Sequence, residues 1–420
     1  MISEKTLDQE RALEKLGKLK CGALFTRMGT GKSRMALDLI ASKIHKVDLV
    51  LWLCPCALKG EIENERLKWH PELTLTVIGV ESISQSDRIY LDLLAAIKDK
   101  KVFCVVDESL KIKNVGAKRT KRILDLGRQC EYRLILNGTP ISKGAIDLWT
   151  QMDFLSPKIL KMDRRDFCKN YVQYNITKSE ERNTGHPRYI VGYKNLDHLM
   201  AIISPYVYDA ELEIEVRKGY RTRYYYNDCQ EEYEAIKKDI LGRIADNSNL
   251  RDFDFYELCS RLQRCYTQSV SKDEVICDIL RQIDDKVIVF VRYLSSIPAD
   301  APCLTGEHTV EQRQKIISDF REGKFKVLFI TYGVGAYGLN LQFCHNVIFA
   351  EHMFDYAAKI QAEARVYRMG QESDVQYWDV VCRCGMEDLI IRCIDKKSSL
   401  VEELNKGINE LGVKEWLKSL

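Results

Sequence analysis

The ten residues from Leu24 to Ser33, read Leu-Phe-Thr-Arg-Met-Gly-Thr-Gly-Lys-Ser, constrain the fold of this chain more than any others. A glycine-rich turn ending in Gly-Lys-Ser, with a strand-like run before it (Cys21 to Thr26) and a helix-like run after it (Ser33 to Ile44), is built to hold a chain of phosphates. Gly29 and Gly31 let backbone N–H groups close on phosphate oxygens. Lys32 reaches the β- and γ-phosphates, Ser33 offers a hydroxyl to Mg²⁺, and Met28 and Thr30 complete the loop. The expected cofactors are therefore ATP and Mg. Thr26 stands where the general pattern has glycine, and the competing reading is an ordinary strand-to-helix turn.

At 420 residues and 45% hydrophobic, the chain has material for two or three domains with ample cores. No run approaches the ~20 apolar residues of a membrane span, and Met1-Ile2-Ser3-Glu4-Lys5 lacks the design of a signal peptide. No membrane partner is expected. The fifteen cysteines are scattered, and the closest pairs, Cys54/Cys56 and Cys382/Cys384, are spaced C-x-C, so neither a structural zinc site nor a disulfide framework is expected. A formal charge of +3 leaves any polyanionic partner to local patches and not to the global field.

Short β-branched and aromatic runs (Val47 to Leu53, Lys101 to Val106, Tyr132 to Leu136) alternate with helix-like stretches (Lys59 to Lys68, Asp87 to Asp99). The pattern returns with strands at Lys286 to Val291, Lys326 to Ile330 and Asn346 to Ala350, and helices at Val310 to Arg321 and Ala357 to Arg368. Such alternation predicts an α/β fold of two parallel-sheet lobes wrapped by helices. Residues 155 to 275 lose the alternation and read as mostly helical insertions plus the interlobe connection. The expected division is a first lobe over 1–205, with its insertion from about 155, a connection and second-lobe insertion over 206–275, and a second lobe with C-terminal helices over 276–420.

Behind the apolar strand Val102 to Val106 come Asp107 and Glu108, at the strand end where open parallel sheets place their sites. One carboxylate would hold the Mg²⁺ shell and the other would orient or deprotonate the attacking water. In the second lobe, a helix through Gln361-Ala362-Glu363-Ala364-Arg365-Val366-Tyr367-Arg368 would set Arg365 and Arg368 on one face at i and i+3. They read either as arginine fingers toward a triphosphate held by the other lobe, or as two solvated surface arginines. Gly335, Gly338, Leu339 and Asn340 make a second tight loop at a sheet edge.

Taken in order, these stretches resemble a superfamily 2 nucleic-acid motor of the Snf, chromatin-remodeller-type branch. The matching residues are Met28 to Ser33, Cys54-Pro55, Asp107-Glu108 followed by Lys113-Asn114, and Asn137-Gly138-Thr139-Pro140 followed by Leu148-Trp149. Gly338-Leu339-Asn340-Leu341 and Gln361 through Arg365 and Arg368 to Gly370-Gln371 complete the set. The resemblance implies two RecA-like lobes in tandem with helical insertions between the core motifs. It also implies an ATPase that translocates on double-stranded or branched DNA. It gives Gln9 the part of an adenine reader, Thr139 that of a link between hydrolysis and movement, and Gln361 that of a nucleotide-facing residue. Pro55, Lys113, Asn114 and Asn340 become candidates for DNA contact or coupling. Phe349-Ala350-Glu351 is similar to the fork-remodelling and annealing subgroup.

The chain also departs from that pattern. The family usually has Asp at the place of Thr26 and His at the place of Leu110, a twin glycine where Gly335-Ala336 stands, and paired arginines where Tyr208-Asp209 stands. Lys111, Lys113, Lys118, Arg119, Lys121 and Arg122 read equally as a DNA-backbone contact or as a solvated helix face. The run Tyr220 to Tyr226 reads as an alternating strand of the second lobe, with base stacking as the alternative. The expectation is a monomeric DNA-dependent ATPase that moves on duplex DNA without strand separation, acting on DNA structures or DNA-bound proteins. Its compartment would be the cytoplasm, at the nucleoid of a bacterium or in a phage-infected cell, or the nucleus in a eukaryote. A strand-separating or branch-migrating helicase and a non-catalytic DNA clamp are the alternatives.

Overall fold

The computed structural model describes residues 5–396 except 139, 142–143, 180–189, 211–214, 247–251, 336–338, 355 and 369. The chain forms two compact units that divide at Glu213 and Ile214.

The first unit is built on a six-stranded sheet whose neighbours all run parallel: β1 (Cys21–Leu24), β2 (Leu49–Cys54), β3 (Thr76–Gly79), β4 (Val102–Val106), β5 (Tyr132–Leu136) and β8 (Val207–Tyr208), in the order β3-β2-β4-β5-β1-β8. β4 is buried at all five positions, as a strand covered by helices on both faces must be. The helix Leu7–Leu16 opens on a capping box, in which Thr6 and Gln9 exchange side-chain and backbone hydrogen bonds. The insertion after 155 carries short helices, Pro157–Leu160, Arg164–Tyr171 and Leu196–Ile203, and an antiparallel hairpin of β6 (Val172–Tyr174) and β7 (Ile190–Tyr193). Phe154, Phe167 and Tyr171 carry its packing into the main core.

The second unit repeats the design with β9 (Lys218–Tyr225), β10 (Val287–Val291), β11 (Cys303–Leu304), β12 (Val327–Thr331), β13 (Asn346–Phe349) and β14 (Val375–Cys382), all parallel, in the order β11-β12-β10-β13-β14-β9. Helices Gln230–Asp246, Asp252–Tyr266, Val270–Arg281 and Gly385–Lys396 belong to this unit. A parallel sheet with crossover helices in each unit is the two-lobe α/β fold expected from the alternation, and it agrees with the RecA-like lobes that the resemblance implies. The strand β14 escaped the sequence reading because its run, Val-Gln-Tyr-Trp-Asp-Val-Val-Cys, places polar Gln376 and Asp379 within an apolar strand.

One expectation about local structure is corrected. The helix that was to run to Arg368 covers only Tyr356–Glu363, and Arg365 and Arg368 lie on the turns that follow. The Glu363 carbonyl accepts the N–H groups of both Val366 and Tyr367, and the Leu341 N–H takes the Arg365 carbonyl, so the chain tightens and leaves the helix axis. The two arginines therefore do not share a helix face.

Candidate nucleotide site

Because the strands of the first sheet are parallel, the loops after β1, β2, β4 and β5 all emerge at its carboxyl edge. The chain leaves β1 through Phe25, Thr26 and Arg27 into the glycine turn. Gly29 (φ +85°) and Gly31 (φ +81°) adopt left-handed conformations that a side chain resists. Gly31 caps the helix Lys32–Ala41 with no side-chain hydrogen bond to its first turn, leaving backbone donors at a ten-residue helix's positive end. Lys32 Nζ donates to the carbonyl oxygens of Thr26 (2.9 Å) and Arg27 (3.1 Å), positions that a phosphate's oxygens would compete for. Thr26, the departure from the motif, is fully buried, and its hydroxyl accepts from Thr30 Oγ1 at 2.8 Å, which closes the loop from within. Ser33 lies half-buried in the first turn of the helix.

Gln9 is buried beside this loop: a β-carbon on Gly31 would lie 2.7 Å from Gln9 Nε2. Its carbonyl is already used by the capping box, accepting from the Thr6 N–H at 3.1 Å. Gly138, just past β5, approaches from the other side, since a β-carbon there would come within 2.9 Å of Met28 Cγ and 3.5 Å of Lys32 Nζ. The loop is thus hemmed in at positions where only glycine fits.

Asp107 follows β4 directly, 7% exposed, its N–H bonded to the Leu53 carbonyl at 2.7 Å. Burial, and after it the neighbouring Glu108 carboxylate, push its pKa up to about 7 against the pull of Lys32. A carboxylate so disfavoured in its charged form is ready for a cation. Glu108 takes φ +50°, the left-handed region that costs a non-glycine residue about 1 kcal/mol, a strain of the kind found at functional turns. The glycine cradle, the lysine and the buried carboxylate together fit ATP with a magnesium ion.

Pro55 is buried after β2, its carbonyl accepting from Leu58 N–H at 2.9 Å. Lys113 closes the short helix Ser109–Ile112, and its carbonyl accepts from Thr150 Oγ1 at 3.0 Å. Asn114 is exposed and its side-chain oxygen accepts from Gly116 N–H. Sequence reasoning missed Ser109 and Gln151, which are fully buried and hydrogen-bonded to each other at 2.6 Å. The available signal was a glutamine at a helix position surrounded by apolar neighbours in the sequence. Thr139 and Gly338 lie outside the described residues.

In the second unit, Gln361 is half-buried on the helix Tyr356–Glu363, Arg365 is 8% exposed, Arg368 is half-buried, and Asn340 is exposed with its side-chain oxygen near the Gln342 N–H at 3.5 Å. The helix ahead of the arginines is anchored by charge. Lys218 Nζ and Tyr220 Oη bond Glu363, and Lys359 Nζ bonds Asp379 at 2.7 Å. The same Asp379 oxygen meets His352, whose other ring nitrogen meets Glu387. Burial pulls the His352 pKa down, but its bonds to Asp379 and Glu387 more than offset this and raise it to about 9.

Two weaker features take the following contacts. Within the basic cluster, Lys118 and Arg122 both pair with Asp87, and Arg119 Nε bonds the Lys111 carbonyl. The tyrosine run is an edge strand: Tyr225 is buried and Tyr220 stacks on Tyr377 at 5.2 Å, while Tyr224 and Tyr226 are exposed around Arg383.

Residues 13–208 match the SNF2-related domain, and residues 271–370 match the helicase conserved C-terminal domain. These two domains in this order define a helicase-like ATPase. The chain belongs to the SNF2-related branch of superfamily 2. It is 22% identical to the TATA-binding protein-associated factor MOT1 of Saccharomyces cerevisiae over 94% of this chain and 27% of that protein. It is 22% identical to the DNA repair and recombination protein RAD54 of the same yeast over 94% of this chain and 54% of that one. An uncharacterized ATP-dependent helicase of Mycoplasma genitalium is 25% identical over 91% and 40%. The chain thus spans about a quarter of the length of MOT1 and about half that of RAD54. Among solved structures, the Sulfolobus solfataricus SWI2/SNF2 ATPase core in complex with dsDNA aligns over 100% of this chain and 97% of its own, at 21% identity and a TM-score of 0.43.

Proposed function

We propose that this chain is an ATP-driven motor that moves along double-stranded DNA and remodels DNA structures or DNA–protein complexes. The observation that carries the ATPase part is the convergence of Lys32, Asp107 and Gly138 at one sheet edge around a left-handed glycine turn. DNA as the track is supported by the SNF2-related domain over 13–208 and by the likeness to RAD54.

ATP and its magnesium ion would supply the phosphoanhydride and the charge that neutralises it. The backbone of Met28 to Gly31 and the amino group of Lys32 would hold the phosphates, the lysine exchanging for them the carbonyls of Thr26 and Arg27. The Ser33 hydroxyl and Asp107 would face the metal. Glu108 would take or orient the proton of the attacking water. By the family resemblance Arg365 and Arg368 would be the motor's catalytic arginines, and Gln9 would face the base.

The test is ATP turnover measured in parallel with no nucleic acid, duplex DNA, single-stranded DNA, branched DNA and RNA, with Lys32→Ala as the inactive control. Stimulation by duplex or branched DNA is expected. Stimulation by RNA alone would overturn the proposal, and displacement of a labelled strand from a fork would turn it into a strand-separating helicase.

A further inference from the structure

The helix Asp147–Leu155 is buried on almost every side, with Leu148, Met152, Phe154 and Leu155 in the main core of the first unit. Packing alone would put another aliphatic residue at position 151, because burying an amide costs free energy unless each polar atom is satisfied. Gln151 is fully buried and satisfied in full. Its Oε1 accepts from Ser109 Oγ at 2.6 Å, and its Nε2 donates to the carbonyls of Pro140 at 2.7 Å and Asp147 at 2.9 Å. Asn137 Nδ2 reaches the same Ser109 hydroxyl at 3.5 Å. Ser109 follows Asp107 and Glu108 directly, and Pro140 stands two residues after Gly138, where any β-carbon would meet Met28 and Lys32. One buried side chain therefore grips both the carboxylate turn after β4 and the turn after β5 that abuts the phosphate loop.

We propose that Gln151 is a positioning residue for ATP hydrolysis, fixing the carboxylate turn relative to the phosphate loop through Ser109 and Pro140. This rests on the ATPase reading above but not on the DNA track. The bonds of Gln151 run to Ser109, Pro140 and Asp147, so its loss should act first on where the carboxylate turn stands and less on nucleotide affinity. The attack geometry is set by where the carboxylates stand, and a misplacement of about 1 Å can cost a hundredfold in rate. A role in rate without a role in affinity is the signature that simple core packing would not give.

The experiment measures kcat and KM for ATP with and without duplex DNA, per folded molecule, for the wild-type chain and for the full chain carrying Gln151→Met, Ser109→Ala or both. Gln151→Met should lower kcat about tenfold or more with KM within about twofold, and Ser109→Ala should act in the same direction. The double variant should be no slower than Gln151→Met, since both act through one chain of bonds. If Gln151→Met does not fold, Ser109→Ala, which removes one atom, carries the test alone. A kcat within twofold of wild type in the folded variants, a KM that rises in step with the rate loss, or losses that multiply in the double variant would overturn the inference. A wild-type chain without ATPase activity would overturn it together with the ATPase reading. A wild-type ATPase that duplex DNA leaves unmoved would overturn only the DNA track.

Discussion

The side-chain amide of Gln9 occupies the space that a side chain on Gly31 would need, 2.7 Å from the position of its β-carbon. Gly31 is also at φ +81°, where any other residue is strained by about 1 kcal/mol. Gly31→Ala should therefore push Gln9 and the turn apart and abolish binding of a fluorescent ATP analogue, with only a modest fall in Tm. Gln9→Ala removes the capping box, at a cost of about 1 kcal/mol, and should also erode the preference for ATP over GTP. Equal KM ratios for the two nucleotides in wild type and variant would reduce Gln9 to a helix cap.

Asp107 makes stability depend on pH in a direction opposite to that of most carboxylates. Its folded-state pKa, raised to about 7 by burial and by Glu108, lies above the ordinary 3.8, so in that window the folded chain binds a proton that the unfolded chain does not. Stability contributed by the neutral form is thus lost as pH rises from about 4 through 7. Asp107→Asn, which cannot ionise, should melt above wild type at pH 8 in the absence of nucleotide, and the two should converge near pH 4. The same variant should lose ATP hydrolysis. A melting temperature below wild type at pH 8 would show that folding stabilises the charged carboxylate and that its pKa is not raised.

How far the sequence disclosed this molecule follows from the length of the signals. Gly29, Gly31 and Lys32 were legible because a phosphate loop is a local pattern whose flanking strand and helix are continuous with it. Asp107 was legible from the apolar strand before it. The end of the helix at Glu363 was not, since the residues 361 to 368 carry no glycine or proline; beyond that end the distant Leu341 N–H takes the Arg365 carbonyl. Gln151 gave only the faint signal of an amide in an apolar helix, and Ser109 none, because their meaning lies in a bond between residues 42 apart. Val207–Tyr208 is too short to read as a strand until β1 supplies its partner.

The second unit holds a buried ion pair whose removal should be costly. Lys272 Nζ lies 2.9 Å from Glu351 Oε1, with side chains 2% and 0% exposed, while Glu351 Oε2 accepts the N–H groups of Arg292 and Tyr293. Lys272→Met leaves that carboxylate without its cation, a change that costs about 3–5 kcal/mol in buried pairs. Combining it with Glu351→Gln should recover part of the loss. Urea unfolding of the full chain reads both, and a single-variant loss under about 1 kcal/mol would mean that the backbone N–H groups and the Ser296 hydroxyl satisfy Glu351 without the lysine.

Arg365 and Arg368 ride on turns, so their placement depends on contacts outside any helix. The Leu341 N–H holds the Arg365 carbonyl at 3.1 Å, and Tyr377 Oη holds the Glu363 carbonyl at 3.1 Å. If Arg365 stabilises the transferring phosphoryl group, Arg365→Lys should cut kcat by about 10³ or more and leave the affinity for ATP within a fewfold of wild type. A lysine keeps the charge but not the planar fork that matches phosphate oxygens. Tyr377→Phe loses one clamp on the turn and should give a smaller loss of kcat in the same direction, again without a change in affinity. Lys32→Ala, by contrast, should weaken binding itself. An Arg365→Lys enzyme that turns over at the wild-type rate would remove this arginine from the chemistry and leave it a buried packing residue of the second unit.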